Sequence, residues 1–237
     1  MLIQSTRNNG SEAIKAIVYG PSGVGKTTLA GTTGEPTLVV SFEGGLMALA
    51  NKDIDFVDCT LDDEGNVISK PARLDKLREV YAWLQTPEAR TKYKWVCIDS
   101  LTEIGQNVIE KQNGLFPERK DSMVLWGEVG KELRAIIKAF RDLPGYNVVF
   151  TALSEVDKDE MGARFQAISL PGKIAQQCPA YFDLCLYYHV FENEEGEKKR
   201  VLVTQPTDKA VAKDRSGKLD LMMEPNLSEI AKRIRNQ

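Results

Sequence analysis

The stretch YGPSGVGKTTLA, from Tyr19 to Ala30, places glycines, a lysine and two threonines where an apolar run gives way to a helical pattern. It contains the pattern G-x-x-x-x-G-K-[ST] in the strand, loop and helix context that this motif requires. Glycines let backbone N–H groups turn inward around phosphates, Lys26 has the reach and charge for the β- and γ-phosphates, and the Thr27 hydroxyl suits Mg²⁺. The sequence therefore predicts that ATP or another nucleoside triphosphate binds here with Mg²⁺. The predicted nucleotide-binding residues are Gly20, Pro21, Ser22, Gly23, Val24, Gly25, Lys26, Thr27 and Thr28.

An acidic residue at the end of a second strand is the next part that such a site requires. In KWVCIDS, an apolar run leads directly into Asp99, with Ser100 beside it. We predict that Asp99 holds Mg²⁺ through water, together with Thr27. The alternative is a helix cap, because the residues from Leu101 onward look helical and Asp is a common cap. The glycine loop upstream favours the metal role.

A general base would complete a hydrolytic site. The segment LVVSFEGGL places Glu43 just past the strand that follows the glycine-loop helix, where its carboxylate can face the γ-phosphate and orient water. The residue after Asp99 is Ser100 and not Glu, which argues against ring-forming AAA-type motors, and the arginines do not cluster as in the lid of a nucleotide kinase. We therefore predict Glu43 and Lys26 as catalytic residues. The alternative is that Glu43 is an ordinary exposed loop acid.

Short apolar runs rich in β-branched and aromatic residues alternate with helical patterns along the chain. Asn226, three residues before Glu229, resembles a capping box for the last helix. Polar segments at 60–70, 113–123 and 154–169 are expected to be mobile loops. The predicted strands cover 13–19, 37–42, 54–58, 94–98, 147–152, 181–191 and 200–204, and the predicted helices cover 25–32, 72–85, 101–112, 124–142 and 227–236.

Strands that alternate with crossover helices predict an α/β fold of three layers with a mostly parallel central sheet. The turn-like segment NEEGEK at 193–198 predicts an antiparallel hairpin at the C-terminal end of this sheet. The 237 residues suit one domain, residues 1–237, with an N-terminal extension at 1–12 and a C-terminal helix within 221–237.

Composition limits where the protein is expected to act and what it can contact. No apolar run reaches the ~18 residues of a membrane span, and the N-terminus lacks the pattern of a signal peptide, so we expect a cytoplasmic protein without membrane contact. The four cysteines lack C-x-x-C spacing and indicate reduced, buried thiols. A formal charge of -3 means that contact with nucleic acid would have to come from local loops.

The three motifs YGPSGVGKTTLA, LVVSFEGGL and WVCIDSLTEI, in this order and at these distances, resemble the core of the RecA/RadA recombinases. With PGKIAQQCPAYFDLCLYY and AKDRSGKL added, the chain resembles the phage RecA-like ATPases that accompany single-strand annealing and recombination, over residues 14–220. This resemblance implies a P-loop NTPase fold of RecA type. It also implies an ATPase that binds and anneals single-stranded DNA in a bacterial host, acts as a homo-oligomer and works beside a single-strand-binding protein.

The chain departs from the RecA pattern at the sensor of the γ-phosphate. RecA carries an Asn-Gln pair after the strand equivalent to 147–152, whereas FTALSE leaves Thr151 or Ser154 as substitutes. RecA-type sites are commonly completed by a basic residue of the neighbouring subunit, for which Lys213 and Arg215 are the candidates. The alternative is that these two cations are ordinary surface charges. Because few residues precede the first strand, a ring or short assembly is expected instead of a long filament.

The resemblance also implies that the loop after the sensor strand contacts DNA. This loop offers cations for phosphates and an aromatic ring for a base, in Lys158, Arg164, Phe165 and Lys173. Acidic residues at 155–160 share the loop, so a solvated mixed-charge surface is the alternative. The second class of function that remains open is a P-loop ATPase switch or small-molecule kinase without direct DNA binding.

Overall fold

The computed structural model describes residues 13–115, 117–119, 123–192 and 195–235. The strands are β1 (Lys15–Gly20), β2 (Thr37–Ser41), β3 (Asp55–Asp58), β4 (Trp95–Asp99), β5 (Asn147–Lys158), β6 (Arg164–Ile168), β7 (Leu184–Glu192), β8 (Lys198–Val203), β9 (Lys213–Asp214) and β10 (Met222–Met223). The α-helices are α1 (Lys26–Leu29), α2 (Lys70–Leu84), α3 (Pro87–Lys92), α4 (Leu101–Leu115), α5 (Met123–Arg141), α6 (Ile174–Tyr181) and α7 (Leu227–Arg235).

The strands form one mixed sheet in the order β10-β8-β7-β1-β5-β4-β2-β3, with β6 attached to β5 and β9 attached to β7. Every pairing from β3 to β7 along this order is parallel. The strands β7 and β8 form the antiparallel hairpin expected at the C-terminal end of the sheet. The predicted α/β fold, with a mostly parallel central sheet and an antiparallel C-terminal hairpin, is therefore confirmed.

Helices cover both faces of the sheet, which gives the three predicted layers. Successive strand residues point to opposite faces, so Ile17 and Tyr19 of β1 pack with α2, α4, α5 and α6. Ala16 and Val18 of the same strand pack with α1 and α7 on the other face. Each buried large apolar side chain contributes about 1.5–3 kcal/mol, so these two layers of side chains hold the sheet edge in place for the site.

Most predicted elements are present, with shifted ends. The predicted helix at 25–32 is only α1, followed by a 3-10 turn over Ala30–Thr32. Half of the predicted capping box is present: the Asn226 side-chain oxygen accepts from the Glu229 N–H over 3.1 Å, whereas the Asn226 N–H donates to the Glu224 carbonyl oxygen. The four cysteines are buried free thiols, as predicted.

None of the helices in the described part of the chain is long and apolar enough to span a membrane. The predicted extension at 1–12 lies outside the described residues.

The segment 154–169 corrects the prediction of a mobile loop. It is a β-hairpin in which the end of β5 pairs with β6, from Ser154 opposite Ile168 to Lys158 opposite Arg164. The Asp159 side chain closes the turn by accepting from the N–H groups of Met161 and Ala163. The sequence does not indicate this hairpin, because charged residues occupy both of its faces and the alternation of apolar and polar residues is absent.

Other predicted loops are also partly ordered. The segment 60–70 is a compact turn, in which Leu61 bridges to Val67 and the Asp62 side chain accepts from the Glu64 and Asn66 N–H groups. In 113–123, α4 extends to Leu115 and a 3-10 turn covers Pro117–Arg119; residues 116 and 120–122 lie outside the described residues. The helices α3 and α6 and the strands β9 and β10 are elements that the sequence patterns do not predict. The sequence of α6 does not resemble a helix, because Pro179 lies inside it and proline is unfavourable in a helix interior.

Gly20, the last residue of β1, lies close against the backbone of β7. A Cβ on Gly20 would lie 2.1 Å from the Tyr188 carbonyl oxygen, a backbone atom that no rotamer change can move. We expect Gly20→Ala to lower the free energy of unfolding, measured by urea titration, by about 1–3 kcal/mol, the usual cost of overpacking.

Gly45→Ala is the matched control for this substitution. A Cβ on Gly45 would meet nothing within 4 Å, and its φ of -83° suits any residue. We expect its urea midpoint to match the wild type. An unchanged midpoint for Gly20→Ala would contradict the close contact between β1 and β7.

Candidate active site

The carboxyl ends of β1, β2 and β4 meet at one edge of the sheet. Ser41, the last residue of β2, is paired with Asp99, the last residue of β4, and the Phe42 N–H donates to the Asp99 carbonyl oxygen over 2.6 Å. Strand β5 lies between β4 and β1, and Gly20 at the end of β1 begins the glycine loop. Ligands of parallel α/β sheets bind at this edge, so the fold brings the three predicted motifs to one place.

The glycine loop turns sharply into α1 through Gly25. Its φ is 110°, a left-handed conformation that favours glycine. A Cβ at this position would also lie 3.1 Å from the Tyr188 hydroxyl of β7. Of the other predicted loop residues, Val24 is buried in the core beside α1, whereas Ser22 and Thr28 are exposed. Val24 therefore fixes the loop to the core, while the polar side chains of Ser22 and Thr28 remain exposed to solvent.

Lys26 is buried under the loop and makes its contacts there. Its amine donates to the carbonyl oxygens of Gly20 and Pro21, each over 2.9 Å. Burial lowers the pKa of Lys26, and the carboxylates of Glu43 and Asp99 oppose that shift by their charge. Lys26 therefore lies close enough to both predicted acidic residues for their charges to act on it.

The carboxylate of Asp99 is buried between two threonine hydroxyls. Thr27 Oγ1, from the first turn of α1, donates to Asp99 Oδ2 over 2.7 Å. The Thr151 hydroxyl, from β5, donates to Asp99 Oδ1. A buried carboxylate requires such donors, since an unpaired buried charge is costly. The two predicted metal-binding residues, Thr27 and Asp99, are thus in direct contact, and carboxylate and hydroxyl oxygens are the donors that Mg²⁺ prefers.

Ser100, and not Asp99, serves as the side-chain cap of α4. Its hydroxyl oxygen accepts from the Glu103 N–H over 3.4 Å, whereas the Asp99 carboxylate is directed to Thr27 and Thr151. The cap interpretation of Asp99 is therefore wrong, because its carboxylate is occupied by these two hydroxyls. The role of Asp99 in holding a metal stays a prediction.

Glu43 is exposed at the end of β2, directly beside this buried group. The Ser100 hydroxyl donates to Glu43 Oε1, and the turn that follows is fixed by the Gly44 N–H, which donates to Ser41 Oγ over 3.2 Å. From the sequence alone, Ser100 stands out as the neighbour of Asp99 and as the residue in the place of a Glu. Its contact with Glu43 depends on the pairing of β2 with β4, and no local pattern indicates it.

The two sensor candidates occupy different environments. Thr151 contacts the Asp99 carboxylate from the neighbouring strand. Ser154 lies beyond Leu153, which is paired with Gly20 at the end of β1, and it begins the part of β5 that pairs with β6. Only Thr151 therefore has a direct contact with the predicted metal-binding group.

The two trans-acting candidates lie at the opposite end of the sheet. β9 pairs with the start of β7, at Leu184 and Cys185. The Lys213 amine donates to the carbonyl oxygens of Pro179 and Phe182, and Arg215 forms an ion pair with Asp183 over 2.6 Å. Within one chain, both cations are far from the glycine loop along β7.

The predicted DNA-binding residues do not form a single surface. Lys158 and Arg164 are directly opposite each other in the β5–β6 hairpin and share one face. Phe165 follows Arg164 in the strand, so its side chain leaves the other face. Lys173 is exposed at the start of α6, outside the hairpin.

A family model described as an AAA domain matches residues 12–216 of the chain. The Ser at position 100 therefore does not exclude this family. No curated protein matches the chain. Among solved structures, a similar one is a prototypical ATPase from the type III secretion system of pathogenic bacteria, with a TM-score of 0.48 and 14% identity. The similarity covers 77% of this chain and 53% of that one, so this chain spans about half of its length.

Proposed function

The chain belongs to the AAA domain family, and we propose that it is a Mg²⁺-dependent ATPase whose site is built from Lys26, Thr27, Asp99 and Glu43. Membership in this family supports nucleotide hydrolysis in general. The observation that carries the finer proposal is the contact between Thr27 and Asp99, beside an exposed carboxylate held by Ser100. This arrangement provides oxygen ligands for a metal and a base beside them.

Glu43 acts as the general base in this proposal. Its carboxylate is exposed, and Ser100 donates to one of its oxygens, so the other oxygen is available to orient a water molecule and accept its proton. The contact with Ser100 fixes the carboxylate at the sheet edge, which lowers the entropy cost of placing it. Ser100 is a positioning residue, because it acts through Glu43.

Lys26, Thr27 and Asp99 bind the nucleotide and its metal. The Lys26 amine exchanges two neutral carbonyl acceptors of the loop for phosphate oxygens, whose negative charge attracts the ammonium group more strongly. Thr27 and Asp99 would hold Mg²⁺, which neutralises charge on the phosphates. Thr151 keeps the Asp99 carboxylate oriented through the hydrogen bond from β5.

We expect Glu43→Gln to retain ATP binding and to lower turnover by roughly 10²-fold or more, the usual contribution of a positioned base. Turnover is measured by phosphate release, and binding by equilibrium titration of a fluorescent ATP analogue. Glu224→Gln is the control, since Glu224 is also exposed but lies after β10. Normal hydrolysis by Glu43→Gln would remove Glu43 from the mechanism.

We also propose that the ATPase binds and anneals single-stranded DNA in phage or prophage recombination, in the bacterial cytoplasm and beside a single-strand-binding protein. The support is the hairpin face that carries Lys158 and Arg164. One acid that shares the hairpin is used internally, because Asp159 closes the turn. A mixed-charge face therefore still leaves these two cations available to phosphates.

Strand β5 links this hairpin to the nucleotide site. Thr151 contacts Asp99 in the central part of the strand, and the same strand continues into the hairpin from Ser154 to Lys158. A change in the Asp99 contacts on metal binding therefore acts on a rigid element that carries the cations. This continuity supports DNA binding that depends on the nucleotide.

We expect the double variant Lys158→Ala with Arg164→Ala to weaken binding of a fluorescent single-stranded oligonucleotide, measured by anisotropy with ATP at low salt. Each lost phosphate contact should reduce the slope of log affinity against log salt by about 0.7. The charge-matched control is Arg90→Ala with Lys94→Ala, two exposed cations at the opposite end of the sheet. If the wild type binds no single strand, the second class of function, an ATPase switch or kinase, replaces the DNA proposal.

We further propose a homo-oligomer in which Arg215 or Lys213 of one subunit completes the site of the next. Arg215 is largely exposed, with 60% of its side chain accessible, and lies at the amino end of the sheet while the glycine loop lies at the carboxyl end. A head-to-tail arrangement joins two such different surfaces. Arg215 is the better candidate, because its ion pair with Asp183 leaves most of its side chain exposed, whereas the Lys213 amine donates to two carbonyl oxygens.

A mixing experiment tests this arrangement. We expect Lys26→Ala and Arg215→Ala to be inactive when each is alone. Mixed together, they should regain ATPase activity, because some sites then combine an intact loop with an intact Arg215 from the neighbour. An Arg215→Ala protein that stays oligomeric and hydrolyses ATP normally would contradict the proposal.

A further inference from the structure

A groove of about 720 Å³ separates the β5–β6 hairpin from the β7–β8 hairpin. Its volume lies in the range typical of ligand-binding clefts. The hairpin side contributes Val156, Arg164 and Gln166 from one face and Phe165, whose side chain leaves the other face, and the β7 side contributes Tyr187, His189 and Phe191. The groove lies on the side of the sheet opposite the glycine loop, because Tyr187 packs with the core of α4, α5 and α6.

The β7 side of the groove is a row of aromatic rings. Tyr187, His189 and Phe191 alternate along one face of the strand. The Tyr187 and His189 rings are stacked, with centroids 5.1 Å apart and planes within 9°. Phe191 is 39% exposed, and His189 is half-buried. Stacking therefore fixes the orientation of the Tyr187 and His189 rings, and Phe191 leaves part of its ring surface accessible.

Cations surround this aromatic row. Arg164 and Lys209 border the groove, together with the single acid Asp208 among its described residues. Lys199 of β8 lies directly opposite Phe191 and shares its face. The groove thus presents aromatic surface and an excess of positive charge together.

We infer that this groove binds a single-stranded nucleic acid, with unpaired bases stacked on the aromatic row of β7 and phosphates held by Arg164, Lys199 and Lys209. An apolar peptide would cover the rings but leave the cations without partners, whereas an unpaired strand satisfies both. Duplexes do not fit this chemistry, because their bases are already stacked on one another. The inference rests on the proposed DNA function and gives it a binding surface.

Both sides of the groove are also connected to the nucleotide site. Tyr188, between Tyr187 and His189, packs on the opposite face, where its hydroxyl lies next to Gly25. On the hairpin side, β5 contacts Asp99 through Thr151. A ligand in the groove therefore touches two strands whose other residues contact the glycine loop and the metal-binding carboxylate.

The test compares Phe191→Ala and His189→Ala with the wild type, using labelled oligomers of deoxythymidine, of uridine and of abasic deoxyribose phosphate of equal length. A stacked base contributes about 1–3 kcal/mol, which corresponds to roughly a 5- to 150-fold change in affinity. We expect each variant to lose affinity on this scale for the base-bearing oligomers and to bind the abasic oligomer as the wild type does. Val190→Ala is the control, because Val190 is exposed on the same strand, at 47% against 39% for Phe191, but faces the other side.

The outcomes separate this inference from the proposed function. If both variants bind deoxythymidine as tightly as the wild type, or if the wild type binds the abasic oligomer equally well, the groove inference is overturned while DNA binding by the hairpin stands. Absence of any binding by the wild type overturns both and leaves the ATPase proposal intact. A change of oligomeric state in Phe191→Ala, measured by light scattering, would identify the groove as a subunit interface and overturn the inference. The deoxythymidine and uridine arms decide between DNA and RNA.

Discussion

The buried carboxylate of Asp99 is the group on which the rest of the site depends. An ionised carboxylate away from water needs donors for its oxygens, and the chain supplies them from two different elements. Thr27 comes from α1 and Thr151 from β5. These contacts require β5 to lie beside β4, and the glycine loop to return to the same edge. The hydrogen bonds of Asp99 can therefore form only with this order of the central strands.

Around this group, the charges of the site balance each other across short distances. Burial lowers the pKa of Lys26, which favours its neutral form, while Glu43 and Asp99 favour the charged form. Ser100 holds Glu43 beside them and also caps α4. One serine thus joins Glu43, the strand end and the following helix, which explains why a small hydroxyl residue suits this position.

Alternation along the strands directs neighbouring residues of one strand to two different faces of the molecule. Tyr188 packs towards the glycine loop, while Tyr187 and His189 line the groove on the other side. In β5, the central part contacts Asp99 and the terminal part forms the hairpin. The centre of β5 is paired with strands on both sides, and its end is paired with β6 on one side. The same strand therefore runs from the Asp99 contact to the hairpin without an intervening loop.

The sequence by itself determined the glycine loop, the order of strands and helices, and the acidic residues at two strand ends. These features depend on local patterns, namely turn-forming glycines, periods of apolar residues and capping residues, which act within a few positions of the chain.

The tertiary structure alone decided which side chains meet. Thr27 and Asp99 are 72 residues apart, and Glu43 and Ser100 are 57 apart. Contacts at such separations depend on strand order and register, and a shift of one residue turns every side chain of a strand to the other face. For the same reason, the sequence grouped Arg164 with Phe165, whereas the register of β5 and β6 places their side chains on opposite faces of the hairpin.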